Sequence, residues 1–384
     1  MHGGSRDGSC RGDEDAAPPA TSPFGSGRLG WAAASVCALL ALAIGAQHGL
    51  VFEALDRLRR APLVTLGALG ILVVAHKLLH ASMLRTSVDG LSLRRAVLAS
   101  EAYTGCTNAV IGGSGLGAGL KAAMLRSWGV SHDRIGASIV ATSVAPGLAI
   151  WFLLVAESAP SAARGHGDAT MLAAAAIGAV VLVGHALFWL VVLRHPVPAA
   201  ALGRVAGAAA RRLARSRLPQ TRSCRARLAG LDAVAAFEGL RHRTLQLGRR
   251  QGGRLFVTAL AAQIVLAVLL AVSLRTGGNG PTGLSTLEVL QAFALARAAA
   301  ALLPVPGGLV VLDTGLLALL SEAGGDPSRT VAGIVVYRVL TFLCPMATGL
   351  AAALWWSRRV RRSPHARGAQ RRELPTTAAN AGRA

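Results

Sequence analysis

Long apolar runs that are nearly free of charged residues alternate along this chain with arginine-rich stretches. About 20 apolar residues, each rising 1.5 Å in a helix, cross the hydrocarbon core of a bilayer. Runs of this kind predict six membrane-spanning helices, at residues 31–51, 62–83, 135–155, 172–192, 255–274 and 330–356. The fold class predicted by this pattern is all-α, a polytopic membrane helix bundle.

Two further apolar stretches, 96–125 and 287–322, are interrupted by helix-breaking residues. Each piece is about 15 residues long, which is short for a full crossing. Backbone groups exposed by a break at membrane depth must be satisfied by protein or by a water-filled cavity. We therefore expect two re-entrant or broken helical hairpins. Their predicted hinges are Gly112, Gly113, Pro306, Gly307 and Gly308.

The two hairpins lie in a weak internal repeat with a constant separation of 195 residues. At that separation Gly112 aligns with Gly307, and Gly129 aligns with Gly324. The parity of the spans gives the two copies opposite orientations, an inverted repeat like those of many secondary transporters. A chance alignment in a chain so rich in alanine, glycine and leucine remains the alternative.

Charge is scarce and unevenly placed. Only 15% of residues are charged, against about 25% in a soluble domain, yet Lys plus Arg exceed Asp plus Glu by 22. Segment 194–254 has 14 arginines against two acids, and the C-terminal tail has eight arginines against Glu373. Because this surplus lies beside spans, it argues against nucleic acid as a partner and predicts cytoplasmic segments near anionic lipid headgroups. Both termini are expected in the cytoplasm of a bacterium, with the bundle in its inner membrane.

These patterns divide the chain into five parts. We predict a disordered tail (1–28), a first membrane repeat (29–193), a basic amphipathic cytoplasmic segment (194–254), a second membrane repeat (255–357) and a basic disordered tail (358–384). The five cysteines lack any metal-ligand spacing and are expected to be free thiols. No metal or other cofactor is predicted.

Charged residues inside spans are costly and indicate functional sites. Arg297, Asp313 and Arg338 lie within the second repeat. They would form either an ion pair that holds hairpin to helix or a pair of arginines that grips a phosphate. Lys121, in the first repeat, would either guide a headgroup or extend to the cytoplasmic surface. We predict all four as substrate-binding residues and none as catalytic.

A second polar group lies in the span at 62–83, where His76, Lys77 and His80 are close in sequence. His76 and His80 share one helix face, a spacing that permits metal binding. With no third ligand evident, a polar seam facing the protein interior is the preferred interpretation.

The run from Pro306 to Asp313 and the run from Tyr337 to Phe342 resemble a known family. They are similar to the flippase-like transmembrane region of lysylphosphatidylglycerol synthases, which also occurs in stand-alone bacterial membrane proteins. The resemblance covers roughly residues 30–357. Asp313 stands where that family usually has Glu, Val310 where a third glycine is usual, and Lys121 where Arg is common.

This resemblance implies movement of an anionic or aminoacylated lipid between leaflets. The soluble aminoacyl-transferase domain is absent, so no enzymatic synthesis is expected. The alternative is a membrane scaffold or accessory subunit that recruits an enzyme of an envelope lipid or glycolipid pathway through segment 194–254. Whether the chain forms a homo-oligomer or binds an envelope enzyme is left open.

Overall fold

The computed structural model describes residues 56, 58–109, 113–163, 169–195, 208, 233–276, 283–302 and 311–362. Within these ranges every regular element is a helix. The ten α-helices are α1 (Leu63–Ser87), α2 (Leu93–Ala109), α3 (Gly113–Ser127), α4 (His132–Ala163), α5 (Ala169–Arg194), α6 (Ala233–Arg275), α7 (Thr286–Leu302), α8 (Val311–Glu322), α9 (Pro327–Arg338) and α10 (Cys344–Arg362), and a π-helical turn (Val339–Leu343) joins the last two. The prediction of an all-α protein is confirmed for this part of the chain.

Five helical segments of the described residues are long and apolar enough to cross a membrane. They are Leu63–Ser87, His132–Ser158, Leu172–Arg194, Glu238–Arg275 and Pro327–Val360. Each coincides with one of the six predicted spans, and the remaining prediction, at 31–51, lies outside the described residues. The architecture is compatible with an integral protein that crosses a membrane several times.

Apolar side chains cover much of the outside of the bundle. Ile71 of α1 is 71% exposed and Val180 of α5 is 72% exposed. Large aliphatic groups do not face water at this density in a soluble protein, whereas lipid tails are as apolar as the side chains themselves. The outer surfaces of α1 and α5 are therefore suited to contact with lipid.

The two interrupted stretches each form a pair of short helices, α2 with α3 and α7 with α8. None of these four helices exceeds 17 residues. Their ends recur at the separation of 195 residues: α3 ends at Ser127 and α8 at Glu322, while α4 begins at His132 and α9 at Pro327. The intervening turns use glycines in the left-handed region at the same separation, Gly129 with φ 84° and Gly324 with φ 91°. The inverted relation of the two copies remains a prediction.

Two predicted boundaries differ from the structure. Helix α6 runs for 43 residues without a break at residue 254, so the last part of the basic segment is continuous with the span that follows it. Helix α10 continues to Arg362, so residues 358–362 are helical instead of belonging to a disordered tail. In both cases arginine, which has a high helix propensity, lets the helix of the apolar run include the adjacent basic residues.

Helices α2 and α10 cross closely because glycines face each other at the contact. A Cβ on Gly105 would lie 2.8 Å from the Cα of Gly349 and 2.8 Å from the carbonyl oxygen of Pro345. Small residues allow this approach in membrane bundles. The close crossing brings the side chains of the neighbouring turns, Glu101 and Thr348, within hydrogen-bonding reach.

Candidate functional site

An ion pair links the first two helices inside the bundle. Lys77 of α1 pairs with Glu101 of α2, and Thr348 of α10 also donates a hydrogen bond to the same carboxylate. The Lys77 ammonium donates in addition to the Thr348 hydroxyl, at 3.0 Å. Lys77 and Glu101 are 20% and 12% exposed, so the ion pair is mostly enclosed, whereas Thr348 on the third helix is exposed.

A second ion pair lies in the other half of the chain. Arg338, at the end of α9, donates through Nε to the Asp313 carboxylate in the first turn of α8. This ion pair joins the hairpin to the last span, as one of the two interpretations of the sequence predicts. Binding of a phosphate by Arg297 and Arg338, the other interpretation, remains a prediction. The π-helical turn follows Arg338 immediately, and such turns are frequent at functional sites.

Two predicted cations have no carboxylate partner among the described residues. Arg297 of α7 has a buried Nε without a hydrogen-bond partner there. Lys121 of α3 is only 4% exposed, so it does not extend to the surface. Its ammonium donates to the Thr142 hydroxyl at 2.8 Å and lies 5.4 Å from the centre of the Tyr103 ring.

Two histidines of α1 connect these groups. The rings of His76 and His80 have centroids 4.6 Å apart and are tilted by 56°. Both interact electrostatically with Arg297, and His80 also with Lys121. Arg297 in turn interacts with Arg338. We call the whole set the interior cluster: Lys77, Glu101, Lys121, Arg297, Asp313 and Arg338, with His76 and His80.

A cavity of about 40 Å³ opens within the cluster. Its polar wall comes from the two histidines, the Lys77–Glu101 pair and two threonines, and its apolar wall from Val73, Leu269, Leu340 and Pro345. A space of this size holds at least one water molecule, and the polar wall offers it hydrogen-bond partners. Four regions of the chain therefore converge here: α1, α2, α6 and the segment around the π-helical turn.

The glycine hinges are described only in part. Gly113 is the first residue of α3, and a Cβ there would collide with the carbonyl oxygen of Cys106. Close approach of α2 and α3 thus requires glycine at this position. Gly112, Pro306, Gly307 and Gly308 lie outside the described residues. Cys106 and Cys344 are free thiols, as expected.

Sequence reasoning missed the partnership of Lys77, Glu101 and Thr348. The two charged residues were visible as isolated charges in apolar surroundings, and each needed a partner. That requirement could have led to the prediction of a Lys–Glu pair between neighbouring helices, but it was not used. Nothing in the sequence indicated Thr348, because a threonine in a span commonly bonds its own helix backbone.

Comparison of the sequence with protein-family models found no match, and a comparison with curated proteins found none either.

Proposed function

We propose that this chain translocates a phospholipid or a lipid-linked anionic substrate between the leaflets of a membrane. The observation that supports this most is a surplus of positive charge in the interior cluster. Four cations face two carboxylates there, and both carboxylates are engaged in ion pairs. Lys121 and Arg297 are therefore left without a counter-charge among the described residues.

Such a surplus is costly in an apolar bundle, since a buried charge needs a partner of opposite sign. A phosphate group would supply one. Arginine offers a planar fork that matches two phosphate oxygens, and lysine offers a compact point charge. A headgroup phosphate would thus be held between α3 and α7, one helix from each hairpin.

The apolar exterior suits the rest of a lipid substrate. Acyl chains can remain in the bilayer while the headgroup occupies the polar interior, so only the headgroup needs a path through protein. The proposed activity is transport without covalent chemistry, and its partners are membrane lipids with anionic headgroups.

The test is leaflet exchange of fluorescent phosphatidylglycerol in liposomes that contain the purified protein. We expect Arg297→Gln and Asp313→Asn to slow exchange about tenfold or more, as loss of a charge-assisted contact costs about 1.5–3 kcal/mol. The matched control is Arg275→Gln, the same change at an exposed position at the end of α6. It should leave exchange at the wild-type rate.

If folded wild-type protein exchanges no anionic lipid, the proposal is wrong. The scaffold hypothesis would then predict that deletion of residues 194–232 abolishes binding of an envelope enzyme. A translocase should retain exchange after that deletion. If instead Arg275→Gln slows exchange as much as Arg297→Gln, the site assignment fails, because surface charge alone would explain the effect.

A further inference from the structure

The two neighbouring histidines of α1, His76 and His80, take no part in either ion pair. His76 and His80 lie one helical turn apart, and both line the cavity of the interior cluster. The Nδ1 atom of His76 is buried and has no hydrogen-bond partner among the described residues. Buried polar atoms without partners are uncommon in proteins and frequently mark functional positions.

The charged groups around the pair come from four helices. Lys77 is on α1 itself, Glu101 approaches from α2, Lys121 from α3 and Arg297 from α7. Helix α6 contributes the backbone of Ala262, and neither α4 between residues 135 and 154 nor α6 between 255 and 274 has a charged side chain. The segment around the π-helical turn adds Leu340, Thr341 and Pro345, which are uncharged.

Arg297 and Lys121, the cations that we assign to the anionic headgroup, are therefore also electrostatic neighbours of His80. Without a bound anion, two positive charges oppose the addition of a proton to the pair. Burial of the rings opposes protonation as well, and a bound phosphate would offset the two positive charges and so favour it. Because the two rings are so close, repulsion between like charges limits the pair to one proton.

We propose that His76 and His80 together bind one proton when the anionic headgroup binds, so that transport is coupled to protons. The proton comes from solvent, adds to an imidazole nitrogen and leaves again when the headgroup departs. This inference rests on the proposed function, since the headgroup phosphate is the group that favours protonation. Coupling of the two binding events is reciprocal: protonation must also strengthen headgroup binding.

The experiment uses the full chain in detergent, titrated with dioctanoyl phosphatidylglycerol in a weakly buffered solution that contains a pH indicator. We expect uptake of about one proton for each lipid bound. The Kd should rise by up to about tenfold per pH unit across the range in which histidine loses its proton. Dioctanoyl phosphatidylcholine, whose headgroup has no net charge, should cause no uptake.

Variants assign the proton to the pair. His76→Gln/His80→Gln should bind phosphatidylglycerol without proton uptake and with a Kd independent of pH. His185→Gln on α5 is the matched control, because His185 also has a buried nitrogen without a partner among the described residues but packs against Gly147. It should behave like wild type.

The outcomes separate the two proposals. If wild-type protein binds phosphatidylglycerol with no proton uptake and no pH dependence, proton coupling is wrong while the proposed function stands. If the folded protein binds no phosphatidylglycerol at any pH, the proposed function fails and the coupling fails with it. Uptake that persists in the double histidine variant would overturn the assignment to His76 and His80. Should that variant not fold, the pH dependence of the wild-type Kd still decides.

Discussion

The Lys77–Glu101 pair offers a direct test of the interior cluster as a stabilising element. Both side chains are mostly enclosed, so removing one partner leaves a charge with only Thr348 to bond. Breaking a buried ion pair costs about 3–5 kcal/mol, whereas replacing both partners with neutral residues can be nearly neutral. We therefore expect Lys77→Met and Glu101→Gln each to lower the free energy of unfolding by about 3 kcal/mol.

The double variant should recover most of that loss, because no uncompensated charge remains. The two single losses sum to about 6 kcal/mol and the double variant should lose only about 1 kcal/mol, so the double-mutant cycle should give a coupling energy of about 5 kcal/mol. The measurement is the equilibrium between folded and unfolded protein in mixed micelles, monitored by circular dichroism for the wild type, both single variants and the double variant.

The matched control is the Asp56–Arg60 pair, which is joined at 2.6 Å but has side chains 51% and 80% exposed. Removing either partner there should change stability by only about 0.3–0.5 kcal/mol, the usual value for a pair one helical turn apart. Coupling at the interior pair no larger than at this surface pair, or single losses that simply add, would contradict the expected burial cost of an unpaired charge.

Two further predictions concern packing and pH. Gly349→Ala places a methyl group against the backbone of α2 near Glu101 and Gly105, and the overpacking should lower stability by about 1–3 kcal/mol. The control is Gly119→Ala, which has open space around its Cβ position and should leave stability unchanged or raise it by up to about 1 kcal/mol. Equal effects of the two variants in thermal melts would contradict this prediction. The Asp326 carboxylate caps α9 by accepting the Arg329 N–H at 2.8 Å, and that hydrogen bond holds the pKa of Asp326 below its usual value. The contribution of this cap to stability is therefore present at neutral pH and is lost as the pH falls from the ordinary pKa of aspartate through the lowered pKa of Asp326. The stability difference between wild type and Asp326→Asn should consequently shrink in acid. A difference that grows below pH ~4 would be inconsistent with a charged cap.

Much of the bundle could be predicted because a membrane span requires about 20 consecutive apolar residues, and such a run is visible in the local sequence. Each of the five spans in the described residues is readable from its own run of apolar residues, and the short hairpin helices from the glycines that interrupt them. Helix ends were less predictable. The apolar run begins near Leu255, yet α6 already begins at Ala233, because the arginine-rich sequence before the run forms helix as readily as the aliphatic sequence does.

Four members of the interior cluster could be predicted from the sequence, whereas their pairing could not, and their role in binding a substrate remains a prediction. A charge inside an apolar run is costly and therefore indicates a candidate site, and on this ground the sequence predicts Arg297, Asp313, Arg338 and Lys121. Which charge meets which depends on how distant helices cross. The contact of Glu101 with Thr348 follows from the glycines Gly105 and Gly349, which face each other where α2 and α10 cross. These two glycines are 244 residues apart in the chain. A single sequence does not reveal that they are in contact.

The π-helical turn in the last span determines the directions in which that span can bond. An α-helix rotates its side chains by about 100° per residue, and a π-helical turn accommodates one additional residue without that rotation. The ten positions from Arg338 to Thr348 therefore turn by about 180° instead of about 280°. One side of this span reaches Asp313 and the opposite side reaches Glu101. Any rotation of this span about its own axis must consequently change the contacts with both hairpins at once. The two halves of the bundle are therefore mechanically coupled through a single span.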